Sequence, residues 1–262
     1  MQMLLAVVLG LGIGVVVGTV GGGGAIIALP VLVYVLDQGV SSGSTASLIV
    51  VTLGASVGAG SHARHGQLCW PIALVFALPA ALGAYLGTVA NASVSPRVLI
   101  LAFVPVMLAA AALTYTRGGE DQENEGCEED LCPEPKLPAS GGSGLAVGAM
   151  TGFFGVGGGF LIVPALTSLL GLSMRRAIAT SLAIIGMTGL AALAIHLARG
   201  AEPDWPITLV LCGGAAVGAL WGSSLGRHLS PRTLAHGFGI VVTLIALFLL
   251  VDVLALGGPP GG

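Results

Sequence analysis

Four hydroxyl side chains are the first candidates for chemistry in this sequence, because they come in two matched pairs. Thr45 and Ser47 lie early in one apolar segment, and Thr180 and Ser181 lie early in another. Hydroxyls at such places can donate hydrogen bonds to a bound oxyanion. They can equally cap a helix or bond back to its carbonyls. The pattern leaves both roles open.

Two histidines, His62 and His196, lie near the ends of the same two segments. An imidazole inside a membrane protein can bind an anion or carry a proton. It can also be an ordinary interface residue, and Arg64 and Arg199 lie close by in sequence. We therefore keep both histidines as substrate-binding candidates beside this simpler interpretation.

Two glycine-rich interruptions of apolar sequence are the third kind of candidate. Their glycines are Gly21, Gly22, Gly23 and Gly24 in the first, and Gly155, Gly157, Gly158 and Gly159 in the second. A helix that restarts after such a break directs free N–H groups and a partial positive charge towards it, which suits an anion. Glycines four residues apart are instead typical of close helix packing. That second interpretation is favoured for the pairs Gly14 and Gly18, Gly83 and Gly87, Gly148 and Gly152, and Gly218 and Gly222.

Several groups are missing from the apolar segments. Outside one acidic stretch, the carboxylates Asp37, Glu202, Asp204 and Asp252 all lie at segment ends. A bound anion would thus be held by backbone amides, hydroxyls and His62 or His196. There is no complete nucleotide-binding motif, and no cluster of catalytic groups. We expect neither an enzyme nor a cofactor, a metal site or a nucleic-acid partner.

Composition decides the class of protein. The chain has 262 residues, of which 55% are hydrophobic and 8% charged, whereas a soluble domain has about 25% charged residues. Apolar runs of about 20 residues are long enough to cross a bilayer. The sequence therefore predicts an all-α polytopic membrane protein in contact with the lipid bilayer.

The chain also repeats itself. With an offset of 134, Gly18, Pro30, Ser47 and His62 fall on Gly152, Pro164, Ser181 and His196. After one inserted residue the offset becomes 135. We predict a first transmembrane repeat (1–116), an acidic linker (117–141) and a second transmembrane repeat (142–262). Each repeat holds about five hydrophobic helical elements, including glycine-broken helices.

Five elements per half, or three crossings with a re-entrant pair, would invert the second repeat relative to the first. Basic residues are divided seven against two between the two faces that this alternation gives. The seven are Arg64, Arg117, Lys136, Arg175, Arg176, Arg227 and Arg232, and the two are Arg97 and Arg199. The positive-inside rule then places the linker in the cytoplasm and both termini outside.

Four cysteines are too few and too scattered for a disulfide framework. Cys127 and Cys132 lie in the linker, where they would stay reduced in the cytoplasm or could pair outside. We interpret them as incidental, because no further cysteine pair or histidine is near enough in sequence to complete a zinc site. Cys212 lies within an apolar segment, where we expect it to pack, and Cys69 has no repeat partner.

The interruption Gly18-xx-Gly21-x-Gly-Gly with its following Pro30, and its echo from Gly152 to Gly159 with Pro164, resemble the sulfite exporter TauE/SafE family. The resemblance covers nearly the whole chain; the long acidic linker departs from it. It implies transport of a small sulfur-containing anion (sulfite, thiosulfate or an organosulfonate) across a prokaryotic inner membrane. The choice of anion and the direction of transport are not implied.

We thus expect a secondary transporter or facilitator for such an anion. Two alternatives stay open from the residues alone: an anion channel, and a membrane redox or metal sensor that uses Cys127 and Cys132. Assembly as a homo-oligomer is compatible with the sequence but not indicated by it.

Overall fold

Helices make up nearly all of the chain that the computed structural model describes, which is residues 2–22, 24, 27–28, 31–36, 38, 40–91, 96–120, 132, 137–154, 159–198 and 203–251. In order they are α1 (Gln2–Val20), a π-helical turn π1 (Val31–Val35), α2 (Val40–Ala63), α3 (Trp70–Asn91), α4 (Pro96–Glu120), α5 (Leu137–Phe154), α6 (Gly159–Ser168), α7 (Met174–Ala198), α8 (Trp205–His228) and α9 (Pro231–Val251). The prediction of an all-α protein is confirmed.

Six of the described helices are long and apolar enough to cross a membrane: α1, α2, α3, α7, α8 and α9. Large apolar side chains face outward from them, with Leu4, Leu78 and Trp221 each about 70% exposed (72%, 76% and 68%). Such a surface is stable against lipid and not against water. The prediction of a polytopic membrane protein is confirmed.

Helices α1 and α8 lie side by side and run in the same direction. Gly10, Gly14 and Gly18 of α1 face the backbone of Leu211, Ala215 and Ala219 in α8, so the pairs stay in one register. A methyl group on any of these glycines would come against a facing backbone carbonyl. The glycines therefore let the two backbones touch, as the four-residue spacing predicted.

Helices α5 and α3 form the matching pair. Gly144, Gly148 and Gly152 of α5 face Phe76, Ala80 and Ala84 of α3. These contacts are the α1–α8 contacts moved by the repeat offsets of 134 and 135, with the two halves exchanged. The first helical element of each half (α1 and α5) thus packs on the fourth helical element of the other half (α8 and α3). The two halves therefore interlock rather than lie apart.

Helices α2 and α7, the third helical elements of the two halves, run antiparallel. Thr52, Ser56 and Gly58 of α2 lie against Gly189, Gly186 and Leu182 of α7, so one number rises as the other falls. Antiparallel equivalent helices are what an inverted repeat requires.

Helix α2 is parallel to α8, as shown by contacts at both of their ends. The Asp204 N–H donates to Ser42 Oγ (3.3 Å) near one end, and the hydroxyls of Ser223 and Ser61 are 2.9 Å apart near the other. The second of these ends also holds every arginine whose side chain the structure describes: Arg64, Arg175, Arg176, Arg227 and Arg232. We call it the basic end.

The predicted linker (117–141) overlaps helices on both sides, because α4 continues to Glu120 and α5 begins at Leu137. Within the linker, Cys132 forms a disulfide with Cys69, in the connection between α2 and α3. This corrects the interpretation of Cys132 as incidental. The cause is three-dimensional: Cys132 lies at the basic end, next to Cys69, although 63 residues separate the two in sequence. Cys127 lies outside the described residues, and Cys212 is buried as expected.

Candidate functional site

The first glycine break begins where α1 ends. The Gly21 N–H still donates to Val17 O (2.9 Å), but its φ of +79° turns the chain out of the helix. A left-handed residue is a common helix terminator, and glycine adopts it without steric cost. A Cβ at Gly21 would also lie 2.7 Å from Ser181 Oγ. Gly21 is thus required both for the turn and for the close approach of α7.

The two glycine breaks meet in the structure. Gly22 lies directly against the backbone of Gly159 and Phe160, and a Cβ at either Gly22 or Gly159 would overlap the other glycine. A Cβ at Gly159 would also lie 2.8 Å from Ile185 Cδ1, at the middle of the 25-residue α7. We call the contact between residues 21–22 and residue 159 the glycine crossing. It lies deep in the bundle, beside the middle of α7.

Helix α6 starts at this crossing. It has 10 residues, so it is about 15 Å long, half of a membrane span. It must end near the start of α7, because only five residues separate Ser168 from Met174. Its first turn, with N–H groups that lack helical partners, therefore lies at the crossing and its last turn near the basic end.

Aromatic contacts hold the two sides of the second break. Phe154, the last residue of α5, and Phe160, in the first turn of α6, both pack on Phe103 of α4, with ring centroids 5.0 Å and 5.3 Å away. One side chain thus fixes where the chain leaves α5 and where it enters α6. The predicted site residues Gly155, Gly157 and Gly158 lie between Phe154 and Phe160 in sequence and are outside the described residues. Gly23 of the first break is also outside them.

The four predicted hydroxyls are not gathered in one place. Ser181 Oγ donates to Ile178 O (2.8 Å) while facing Gly21, so it is the hydroxyl at the crossing. Ser47 Oγ donates to Ser44 O (2.8 Å) within its own helix. Thr180 Oγ1 instead accepts the N–H of Cys69 (3.3 Å), at the basic end. Gly24, also predicted, is buried against Val17 and Ile13 of α1.

The two histidines lie at opposite ends of the bundle, because α2 and α7 are antiparallel. His196 Nδ1 is 3.3 Å from Thr45 Oγ1, so two predicted residues from different halves meet there. His62, at the basic end, donates from Nδ1 to Gln67 Oε1 (2.7 Å). The two imidazoles therefore cannot bind one small anion together.

Thr52 is a buried hydroxyl that the sequence analysis missed. It lies at the middle of α2, is 1% exposed, and contacts Gly189 of α7. Its Oγ1 has no hydrogen-bond partner in the described part of the chain. The signal in the sequence was Thr52 and Ser56 one turn apart, but only the helix pairing shows that they face Gly189 and Gly186 of α7.

Metal binding receives no support from the described residues, since no three His, Cys, Asp or Glu side chains among them lie close enough to hold an ion. Asp204 is the one acid whose side chain is described, and it caps α8 by accepting the Ile207 N–H (3.5 Å). The chemistry of the crossing is thus that of glycine backbone and a serine hydroxyl, without a described charged group.

Comparison with known proteins adds a family. The model of the sulfite exporter TauE/SafE family matches residues 6–249. A probable membrane transporter protein of Xylella fastidiosa is 32% identical over 246 residues, 91% of each chain. The probable membrane transporter protein YunE of Bacillus subtilis is 28% identical over 274 residues, 96% of this chain and 98% of its own. No solved structure matches the chain.

Proposed function

Because the chain belongs to the sulfite exporter TauE/SafE family and is a membrane transporter rather than an enzyme, we propose that it moves a small sulfur-containing anion through the glycine crossing. The substrates in view are sulfite, thiosulfate and organosulfonates. The relatives' names state transport without naming a substrate, so this class rests on the family description and on the chemistry of the crossing.

The meeting of Gly22 with Gly159 carries the proposal. Backbone amides at a helix start attract anions, and α6 starts at this contact. Ser181 adds a hydroxyl that can turn from its own helix towards a ligand. The described part of the crossing contains no carboxylate that would repel an anion and attract a cation. We assign Gly21, Gly22, Gly159 and Ser181 to substrate binding, together with Gly23, Gly155, Gly157 and Gly158 of the same breaks.

The crossing is closed, with one backbone directly on the other. Transport in this scheme requires the two breaks to part and the anion to take the place of the backbone contact. That favours a carrier over the alternative of an open anion channel. A channel would give unitary currents in a planar bilayer, whereas the carrier should give none.

The membrane orientation is part of the proposal. The antiparallel pair α2 and α7 supports an inverted repeat, and the arginines gathered at the basic end support a cytoplasmic location for it. The protein would then lie in an inner membrane, with both termini on the outer side. A cysteine placed at Arg64 should react with an impermeant maleimide only from the cytoplasmic side, and reaction from outside would reverse this orientation.

The test of function is uptake into proteoliposomes. Purified protein should accelerate uptake of at least one of labelled sulfite, thiosulfate and a small sulfonate over protein-free vesicles, and sulfate serves to measure selectivity. The same measurement with and without a pH gradient shows whether protons are coupled. Uptake equal to that of empty vesicles for all of these anions would refute the proposed substrate class.

A further inference from the structure

A small cleft at the basic end is distinct from the glycine crossing. It lies between the last turns of α1, α2 and α8 and the first turns of α7 and α9. Its volume, open mouth included, is about 220 Å³. Thr19, His62, Gln67, Arg175, Ile178 and Arg227 line it.

Two guanidinium groups give this cleft its charge. Arg175 uses Nη2 to donate to Leu229 O (3.2 Å), while its buried Nε has no partner among the described residues. Arg227 donates from Nη1 to Ser61 Oγ (3.3 Å). Asp204, the one acid whose side chain is described, is at the other end of α8, about 35 Å from Arg227 by helix length. Among the described residues, both guanidinium groups thus keep N–H groups for another acceptor.

His62 adds a third group and is itself 4% exposed. Since Nδ1 donates to Gln67 Oε1, the ring orientation is fixed. Its buried Nε2 borders the cleft without a hydrogen-bond partner in the part of the chain that is described. An unpaired buried polar atom is unfavourable. In the neutral ring the proton is on Nδ1 and Nε2 carries none, so the ring donates to an anion only if it takes up a second proton together with that anion, which would then satisfy Nε2.

The cleft adjoins the glycine crossing. Thr19 lies two residues before Gly21, and Ile178 lies one helical turn before Ser181. A Cβ at Gly21 would be 3.6 Å from the Ile178 Cα. The walls of the cleft therefore continue into the crossing within about one turn of helix.

We propose that this cleft is a binding site for a small oxyanion, formed by Arg175, Arg227 and His62, from which the anion passes to or from the glycine crossing. The role as a vestibule rests on the proposed transport function, and the binding itself does not. A positive cleft bounded by apolar walls concentrates anions in front of a pathway that contains no described charge. The site sets affinity at the basic end, and the crossing sets the rate of passage.

Binding is tested first, on the full-length protein in detergent. Thiosulfate or sulfate should raise the melting temperature of the wild type and of Arg232→Gln, a control arginine that is exposed at the same end. The shift should be lost in Arg175→Gln and in Arg227→Gln, provided that both elute as the wild type does on size exclusion. Equal shifts in all four proteins, or none in the wild type, would overturn the site.

Transport is tested second, in proteoliposomes with anion outside the basic end. Arg175→Gln and Arg227→Gln should raise KM about tenfold or more, as expected for loss of a charged hydrogen bond, with maximal rate within about twofold. Arg175→Lys should recover part of the affinity. An unchanged KM in both glutamine variants contradicts the vestibule. A wild type that binds anions but moves none leaves the cleft standing and refutes the transport function.

Discussion

Gly21 shows how much can depend on one missing side chain. It ends α1 in a left-handed conformation, and it lets the Ser181 hydroxyl of the other repeat lie against the break. The first requirement is local and the second is tertiary. The two can be separated by experiment, because the chain contains other left-handed glycines with open space around them.

We expect Gly21→Ala to abolish uptake, whereas Gly66→Ala keeps it. Both positions have positive φ (+79° and +69°), so both variants should lose about 1–2 kcal/mol of stability to backbone strain. At Gly66 nothing lies within 4 Å of the added methyl group, while at Gly21 it meets Ser181. Uptake and thermal unfolding are measured together.

A second variant checks the cause of that loss. In Gly21→Ala with Ser181→Ala the closest contact of the new methyl group is removed, so part of the lost melting temperature should return. Uptake by the double variant is compared with that of Ser181→Ala alone, because Ser181 is itself assigned to substrate binding. Equal loss in the Gly21 and Gly66 variants would show that strain alone matters and that the contact with α7 does not.

At the scale of elements, the glycine spacing was the most informative part of the sequence. Glycines four residues apart predicted that α1, α3, α5 and α8 each pack closely on another helix, because the spacing places the glycines on one helix face. The repeat offsets also predicted which residues are equivalent. They could not predict that each first helix packs on the fourth helical element of the other half. Packing on the fourth element of the same half would have the same sequence pattern.

The glycine contacts predict opposite changes in melting temperature for two neighbouring substitutions. A Cβ added at Gly12 of α1 has nothing within 4 Å, whereas a Cβ added at Gly14 would overlap the backbone of Ala215. Alanine is the better helix former by up to about 1 kcal/mol, so Gly12→Ala should raise the melting temperature. Gly14→Ala should lower it, because overpacking costs about 1–3 kcal/mol.

The repeat supplies a replicate of this comparison. Gly148, the equivalent of Gly14, faces the Ala80 backbone, and Gly142 of the same helix faces open space. We therefore expect Gly142→Ala to raise the melting temperature and Gly148→Ala to lower it. A stabilising Gly14→Ala or Gly148→Ala would show that the helix pairs are less close than the structure has them.

At the scale of the whole molecule, the residues that meet come from far apart in the chain. Thr45 with His196, Gly22 with Gly159, and Arg175 with Arg227 and His62 join different helices, and no spacing rule predicts such contacts. The chemical types were predictable, as in the histidines and hydroxyls. Their grouping was not: His62 and His196 match in the repeat and yet lie at opposite ends.

The disulfide between Cys69 and Cys132 ties the connection between the halves to the basic end. Arg176 Nη1 is 3.0 Å from Cys132 Sγ and 3.6 Å from Cys69 Sγ, so both sulfurs lie beside a cation. This pairing could not be predicted, because 63 residues separate the two cysteines and no spacing rule joins them.

Cys132→Ser should lower the free energy of unfolding by up to about 4 kcal/mol, the value for closing a loop of this length. Cys212→Ala is the control, since Cys212 is a free buried thiol whose loss affects packing only. Mass mapping of alkylated peptides, with and without reductant, should recover the Cys69–Cys132 pair. A cytoplasmic basic end would keep both thiols reduced in the cell, so the mapping uses protein purified under oxidising conditions, and alkylation of both cysteines there without reductant would exclude the disulfide.

Cys132→Ser should also leave uptake largely intact, because the two sulfurs lie beside Arg176 at the basic end and neither belongs to the glycine crossing. Uptake is compared for the wild type and Cys132→Ser under oxidising conditions. If the wild type transports normally and the variant does not, the protein acts instead as a redox sensor. That outcome would favour the alternative function that the cysteines suggested.

If the anion passes where Gly22 meets Gly159, three matched glycine variants should differ in thiosulfate uptake. Gly22→Ala and Gly159→Ala each place a methyl group in the crossing, whereas Gly12→Ala places one in open space. When the breaks part, such a methyl group takes space that the anion needs, and an overpacking cost of about 1–3 kcal/mol in that state corresponds to roughly 5- to 150-fold in rate. We predict a loss of uptake in that range for both crossing variants, folded by size exclusion, and uptake within about twofold of wild type for Gly12→Ala. Wild-type uptake by Gly22→Ala and Gly159→Ala would contradict the account.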